Sequence, residues 1–343
     1  MGRYDFNEID NDMSGVRHIP IKEVADGMRL DRWLREEFPG LKQGKLQKLL
    51  RTGQIRLDGA RAKSGDRVEF GQQVRVPPNI DDNPQVDTRP KMIDPETARE
   101  LSDTLKQRIV HIDDDLIALN KPAGLAVQGG SGTHVHIDGV LDYMKMGAKE
   151  RPRLVHRLDR DTSGILLLAR TRQSATRLTK SFQSRETQKV YWAITVGVPS
   201  EKEGMIDAPL AKLPGARGDL VQINEHMGKP AKTLFRVIDS MGKDASWLEL
   251  QPLTGRTHQL RVHTQAIGVP ILGDPKYGLR DAGVLEMGVD NQLHLHAQAL
   301  MFRGSGDKDL MVTATLPDHM QRTFKSLGFD VKDENAGPPE RYS

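Results

Sequence analysis

The stretch Leu154-Val155-His156-Arg157-Leu158-Asp159-Arg160-Asp161-Thr162-Ser163-Gly164 runs without a break into the apolar segment 165–169. A charged turn followed at once by consecutive apolar residues reads as a loop entering a buried strand. The turn holds two carboxylates, Asp159 and Asp161, and two guanidinium groups, Arg157 and Arg160. Neighbouring positive charge favours the ionised form of a carboxyl group, so this environment suits a nucleophile or base better than a general acid. The same string also fits an ordinary turn in which an aspartate caps a backbone amide and the arginines are solvated. Local electrostatics do not choose between the two aspartates.

Outward from this turn, further strand-like runs occur at 109–112, 116–119, 190–196, 233–238, 247–250, 293–302 and 310–314. Helical patterns occupy 96–106, 136–146, 171–184, 256–267 and 317–326. The two types mix without regular strand–helix alternation, so the expected class is α+β with a largely antiparallel sheet. If 256–267 is one helix, Arg256, Leu260, His263 and Ile267 share a face, and His258 and Arg261 lie roughly opposite.

The N-terminal part has a different texture. Leu30, Trp33 and Leu34 fall on one helical face, and Leu46, Leu49 and Leu50 repeat the spacing in a second helix. The polar side of that second helix carries Lys42, Lys45, Lys48 and Arg51, a basic stripe. A strand over 54–57 is closed by Asp58-Gly59, and Val68, Phe70, Val74 and Val76 suggest further short strands. Residues 77–90 contain four prolines and few apolar side chains, the texture of a linker. The expected organisation is a flexible tail over 1–27, a small domain over 28–76, a linker over 77–92, a large domain over 93–330 and a disordered tail over 331–343.

Composition narrows the chemistry. The chain has 343 residues and no cysteine, which excludes disulfides, thiolate metal sites, iron–sulfur clusters and a cysteine nucleophile. No apolar stretch approaches the roughly 20 residues of a membrane helix, and the N-terminus is acidic rather than signal-like, so a soluble, cytoplasmic protein is expected. The net charge of +3 conceals sorting. Residues 1–28 hold 3 Lys and Arg against 6 Asp and Glu, residues 29–76 hold 12 against 6, and residues 151–192 hold 10 against 3. One basic block is usually a solvated face, but two in one chain point to a polyanion.

The string HRLD followed by TSG resembles the signature of the RluA family of pseudouridine synthases, and three other segments resemble the same family in order. Leu119-Asn120-Lys121-Pro122-Ala123-Gly124 is similar to its NKPAG element, and Lys189-Val190-Tyr191-Trp192-Ala193 to its K-x-Y-x-A strand. Thr254-Gly255-Arg256-Thr257-His258-Gln259-Leu260-Arg261-Val262-His263 is similar to its TGR-x-HQLR-x-H element, with Gly273-Asp274-Pro275 and Tyr277-Gly278 following. The resemblance covers about residues 109–315. It implies a pseudouridine synthase fold with a mixed, largely antiparallel central sheet. Segment 28–76 resembles a small α/β RNA-binding domain of the ribosomal protein S-four type, which implies large-subunit ribosomal RNA, most specifically 23S, as the partner.

For the site residues, the resemblance implies Asp159 as the catalytic carboxylate, Tyr191 as the residue stacking on uracil, and Arg261 as the ion-pair partner of Asp159. Arg157 is a candidate to fill the space left by an extruded base. Arg160, Arg256, Lys42, Lys45, Lys48 and Arg51 are expected to contact RNA. Isomerising uridine breaks the ribose bond to N1 and remakes it at C5, which calls for no redox agent, energy source or metal. No cofactor is therefore expected; a monomer is expected as well. Asp159 can act by covalent attack or by removing a ribose proton. Two rival readings are a noncatalytic RNA-binding or ribosome-assembly protein and an RNA N-glycosidase that releases uracil.

Other patterns carry less. Gly129-Gly130-Ser131-Gly132-Thr133 lacks the Gly-Lys-Ser/Thr ending of a phosphate-binding loop. The pairs His134/His136 and His294/His296 lack a convergent third metal ligand, and packed histidines explain them better. Asp159 and Asp161, two residues apart, do not make the separated acid and base of a glycosidase.

Overall fold

The computed structural model describes residues 15–78, 80, 93–130, 133–184, 186–213, 220–278, 289–304 and 309–332. The chain divides into two compact units, Met1–Met92 and Ile93–Ser343.

In the first unit, strands β1 (Arg17–Pro20), β2 (Arg56–Leu57), β3 (Ala60–Arg61) and β4 (Gln73–Val76) form an antiparallel sheet in the order β1-β4-β2-β3. Helices α1 (Leu30–Glu37) and α2 (Gln43–Arg51) bury Leu30, Trp33 and Leu34, and Leu46, Leu49 and Leu50. Both sets join Ile21, Ile55, Val68, Val74 and Ile80 in one core. Asp58 and Gly59 both take positive φ, +45° and +77°, as a two-residue hairpin turn between twisted strands requires. Lys48 and Arg51 are exposed on α2 and Lys45 is half-buried, while Lys42, expected on the same helix, is exposed at the position that precedes it.

Three expectations are corrected here. The tail expected over 1–27 is not all tail: residues 1–14 lie outside the described residues, but Arg17–Pro20 pairs with β4 and Ile21 is buried. The apolar Ile19 and Ile21 find a place on the core, and the sheet gains an edge strand. Similarly, Ile80 is an apolar anchor inside the proline-rich segment read as linker from residue 77. Residues 68–72 are not a strand, and Phe70 is two-thirds exposed, its amide donating to Asp26 Oδ1 at 3.0 Å.

The second unit begins with α3 (Pro95–Lys106), whose Asp94 cap accepts from the amides of Glu96 and Thr97. Strands β5 (Ile109–Ile112) and β6 (Leu116–Lys121) follow, then the short helix α4 (Ile137–Val140), β7 (Arg153–Leu154), β8 (Ser163–Ala169) and α5 (Arg172–Ser184). Next come β9 (Gln188–Val196), β10 (Glu203–Asp207), β11 (Leu210–Leu213), β12 (Leu220–Ile223), β13 (Lys232–Met241) and β14 (Ala245–Pro252). The unit closes with α6 (Gln259–Ala266), β15 (Leu295–Arg303), β16 (Asp309–Thr313) and α7 (Asp318–Leu327).

The main sheet runs β10-β13-β14-β9-β15-β8-β6-β5, with β16 on β15 and β7 on β8, and β11 and β12 form a separate hairpin. Among the described residues its strand pairs are antiparallel except β15 with β8, so the sheet is mixed and largely antiparallel, as the sequence pattern implied. Strand β8 is buried along its whole length. Its Leu166 and Leu168 pack with Leu105 of α3 and Val140 of α4, while Ile165 and Leu167 pack with Leu178 of α5. A strand covered on both faces reads as a continuous apolar run, which explains why 165–169 shows no alternation.

Register brings distant motifs together. Lys121 on β6 pairs with Gly164 on β8, Gly164 with Ala297 on β15, and Ala297 with Tyr191 on β9. Gly164 has φ +107°, and a Cβ there would lie 2.2 Å from the carbonyl oxygen of Ala297. Only glycine allows β15 to approach β8 this closely, and the loop carrying Asp159 is anchored at that crossing.

Candidate active site

The Asp159 loop is held from below by Lys121. Its side chain is fully buried, and Nζ donates to the carbonyl oxygens of Pro122, Leu125 and Arg160 at 2.8 to 2.9 Å. Burial pulls this ammonium down to about 7, against the opposing charges of Asp161 and Asp159. A second support is His156, whose Nε2 accepts the amide of Leu167 at 2.8 Å while its ring stacks on Phe182 at 4.3 Å. Burial, helped by Lys189, depresses His156 to about 3 and keeps it neutral. The Thr162 amide closes the turn onto the carbonyl of Asp159 at 3.2 Å.

The two aspartates that local sequence left equivalent part here. Asp161 takes Arg160 as its partner, Nε donating to Oδ1 at 3.0 Å. Asp159 instead faces a cavity of about 680 Å³ that Tyr191, His258 and Arg261 also line. That volume lies within the ~300–1,000 Å³ of small-molecule sites and suits a nucleotide. A second cavity of about 380 Å³ shares Arg157, Asp159, His258 and Arg261 with the first and adds Gln128, Lys276 and Asp161, which does not reach the first. Arg157 is exposed at the rim of both, its Nη1 3.5 Å from Gln128 Oε1. Tyr191 enters the first cavity from β9, and burial and then the Asp159 charge push its phenol well above the ordinary value. It is therefore a neutral ring with a hydrogen to donate.

Arg261 does reach the site, but not as the direct partner of Asp159. Its Nε donates to Asp274 Oδ2 at 2.7 Å and its Nη2 to Oδ1 at 2.6 Å, both side chains being buried. A desolvated guanidinium takes the carboxylate that offers a planar two-point fit, and Asp274 is preset for it by the amides of Lys276 and Tyr277 at 2.8 and 3.0 Å. Burial works against the charge on Arg261, but the bonds and charge of Asp274, followed by the charge of Asp159, raise its pKa. Its guanidinium also sits over the Tyr277 ring at 5.0 Å. The arginine thus supplies positive potential to Asp159 through space.

The helical-face reading of 256–267 is corrected too, because α6 starts only at Gln259. Gln259 folds the preceding turn instead. Its Oε1 accepts from Thr254 Oγ1 and the Arg256 amide, and its Nε2 donates to Lys232 O and Thr233 Oγ1 on β13. Arg256 is exposed, its Nε bound to the carbonyl of Pro230 at 3.1 Å, and it lines the larger cavity from outside any helix. His258 takes the left-handed conformation, φ +54°. Its Nδ1 lies 2.8 Å from Tyr277 Oη and its Nε2 3.9 Å from Asp159 Oδ2.

His258, Asp274 and Tyr277 fall inside the sequence motifs with no expected role attached to them. Their spacing with Arg261 was the available signal, but the Arg261–Asp274 bond is made between loop and helix and leaves no periodicity. The histidines set aside as packed, His294 and His296, are buried and bonded, to Gln292 O and Thr323 Oγ1, and to Ser163 Oγ and Ala314 O. Among the described residues no group of three or more His, Asp or Glu is arranged to hold a metal ion, and no helix is long and apolar enough to cross a membrane.

Residues 115–266 match the family model described as RNA pseudouridylate synthase. The chain is similar to the ribosomal large subunit pseudouridine synthase C of Vibrio cholerae, 36% identical over 91% of this chain and 97% of that protein. It is also similar to the protein of that name from Rickettsia typhi, 34% identical over 86% of this chain and 95% of the other. Among solved structures, human RNA pseudouridylate synthase domain containing 4 is 31% identical with a TM-score of 0.59, covering 68% of this chain and 97% of that one.

Proposed function

This chain belongs to the RNA pseudouridylate synthase family and is an isomerase acting on RNA, and on that premise we propose that it modifies specific uridines of large-subunit ribosomal RNA, 23S in particular, with Asp159 as the catalytic carboxylate. The substrate class is supported by the names of the relatives, which act on the large ribosomal subunit. The observation that carries the residue assignment is the divergence of the two aspartates: Asp161 is engaged by Arg160, while Asp159 faces the nucleotide-sized cavity beside Tyr191.

The reaction breaks the bond between ribose C1′ and uracil N1 and forms one between C1′ and C5, and the C5 proton is exchanged for one on N1. Asp159 starts it by attacking the ribose or by taking a ribose proton. Tyr191 stacks against the detached uracil so that the ring turns without escaping. Arg261, held rigid by Asp274, keeps the field around Asp159 positive. A uridine in structured RNA has to leave its stack to reach this cavity, and Arg157 at the rim is placed to fill the gap. Arg160 and Arg256 contact flanking RNA, and Lys42, Lys45, Lys48 and Arg51 bind phosphates from the first unit. No cofactor takes part, and the enzyme works as a cytoplasmic monomer.

RNA tritiated at uracil C5 tests the activity and its two rivals together. Tritium release without free uracil supports the synthase, free uracil indicates a glycosidase, and neither indicates a binder. Mapping pseudouridine in ribosomal RNA from cells with and without the protein tests the substrate. Loss of a modified position outside large-subunit RNA, with none lost inside it, refutes that part.

A further inference from the structure

We propose that His258 is a positioning residue that holds the Asp159 carboxylate through its Nε2–H, with its tautomer set by Tyr277. The inference rests on the assignment of Asp159 above. Tyr277 is almost fully buried, and its Oη already accepts the amide of Val221 at 3.2 Å. The phenolic hydrogen therefore has His258 Nδ1, 2.8 Å away, as its acceptor. A ring that accepts at Nδ1 carries its proton on Nε2, and Nε2 faces Asp159 Oδ2 at 3.9 Å. The result is a directed chain from the Val221 amide through the Tyr277 hydroxyl to the His258 ring, whose remaining N–H stands 3.9 Å from the carboxylate.

Two further features fit a ring placed for work rather than for packing. His258 sits at φ +54°, which costs a non-glycine residue about 1 kcal/mol or more, and such strain gathers at functional sites. Its side chain is 16% exposed and lines both cavities that meet at Asp159. The separation of 3.9 Å is longer than a hydrogen bond and shortens to one when substrate fills the site, as catalytic contacts do on going from the free to the occupied enzyme. Arg261 does not do this job here, because its Nε and Nη2 are spent on Asp274.

The test compares His258→Ala, His258→Gln and Tyr277→Phe with the unaltered enzyme in the tritium-release assay, alongside RNA affinity and thermal melting. Misorientation of one reacting group costs up to about 100-fold, so His258→Ala is expected to lower kcat by about 10- to 100-fold. KM for RNA is expected to stay within about threefold, since the lost contact is to the carboxylate and not to RNA. His258→Gln, whose amide nitrogen reaches the place of Nε2, should recover much of the rate. In the unaltered protein, ¹⁵N spectra of the imidazoles should show His258 as the Nε2–H tautomer, and Tyr277→Phe should shift it toward a mixture. A kcat within about twofold of normal for a folded His258→Ala enzyme overturns the inference. So does an Nδ1–H tautomer, or a Gln variant no faster than the Ala variant. Asp159→Asn assayed in parallel separates the two readings: if it is inert while His258→Ala is fully active, only the role of His258 fails.

Discussion

Removing the Asp274 carboxylate should be the most damaging single change beneath the active site that leaves Asp159 itself intact. Asp274 accepts four hydrogen bonds, from Arg261 Nε and Nη2 and from the amides of Lys276 and Tyr277, all between 2.6 and 3.0 Å. Asp274→Ala leaves a guanidinium that is only 4% exposed without its counter-charge. Stranding one partner of a buried pair costs about 3–5 kcal/mol. The two freed amides add to this only where water cannot replace the oxygen they lose. The expected loss is therefore about 4 kcal/mol. Arg261→Met combined with Asp274→Leu strands no charge, so it should recover a large part of the stability while leaving activity low, because Asp159 then lacks the positive potential. Urea unfolding in a Trp33→Phe background measures this, since Trp192 and Trp247 then report on the second unit alone. A loss below about 1 kcal/mol for Asp274→Ala, or a double variant less stable than the single one, would refute the argument.

Other substitutions probe the remaining supports. Gly164→Ala places a methyl against Ala297 O in a backbone region hostile to side chains, and should cost about 3 kcal/mol or more in the same unfolding measurement; a cost under about 1 kcal/mol would contradict the strand-crossing argument. Burial holds His156 down to about 3 and His294 and His296 down to about 4, so the folded protein binds fewer protons than the unfolded chain from the ordinary value of 6.5 down to those values. Their contribution to stability is complete above pH 6.5 and is lost as pH falls toward 4, so the urea midpoint should drop over that window, and by less in His156→Gln. Lys48→Ala with Arg51→Ala should leave catalysis at saturating RNA unchanged but lower the slope of log affinity against log salt by about 1.4 to 1.8, the share of two phosphate contacts. An unchanged slope would remove α2 from the RNA interface.

The α+β class and its major strands were legible because each is a local apolar run of sufficient length, as at 165–169 and 190–196. The edge strand Glu203–Asp207 and the separate hairpin strand Leu210–Leu213 were not, since strands of four or five residues are too short to show a clear alternation. Ile21 and Ile80 were missed at the borders of the first unit because a single buried side chain in polar sequence has no periodic signal. At the site, motif order located Asp159, Tyr191 and Arg261 together. It could not reveal the partner of Arg261, because whether Asp159 or Asp274 offers the two-point fit depends on how the loop before residue 277 returns to α6. Nor could it separate Asp159 from Asp161 on charge, since that distinction arises from the direction in which each side chain leaves the turn.

The most direct test of the central claim is tritium release from C5-labelled RNA by Asp159→Asn, with RNA affinity measured on the same preparation. Asn keeps the shape of the side chain and removes its charge and basicity. No release above background is expected, with an affinity within about threefold of the unaltered enzyme, since Asp159 is asked to react rather than to bind. Release at the normal rate would show that another group carries the reaction, and the assignment built on the Asp159 cavity would fall.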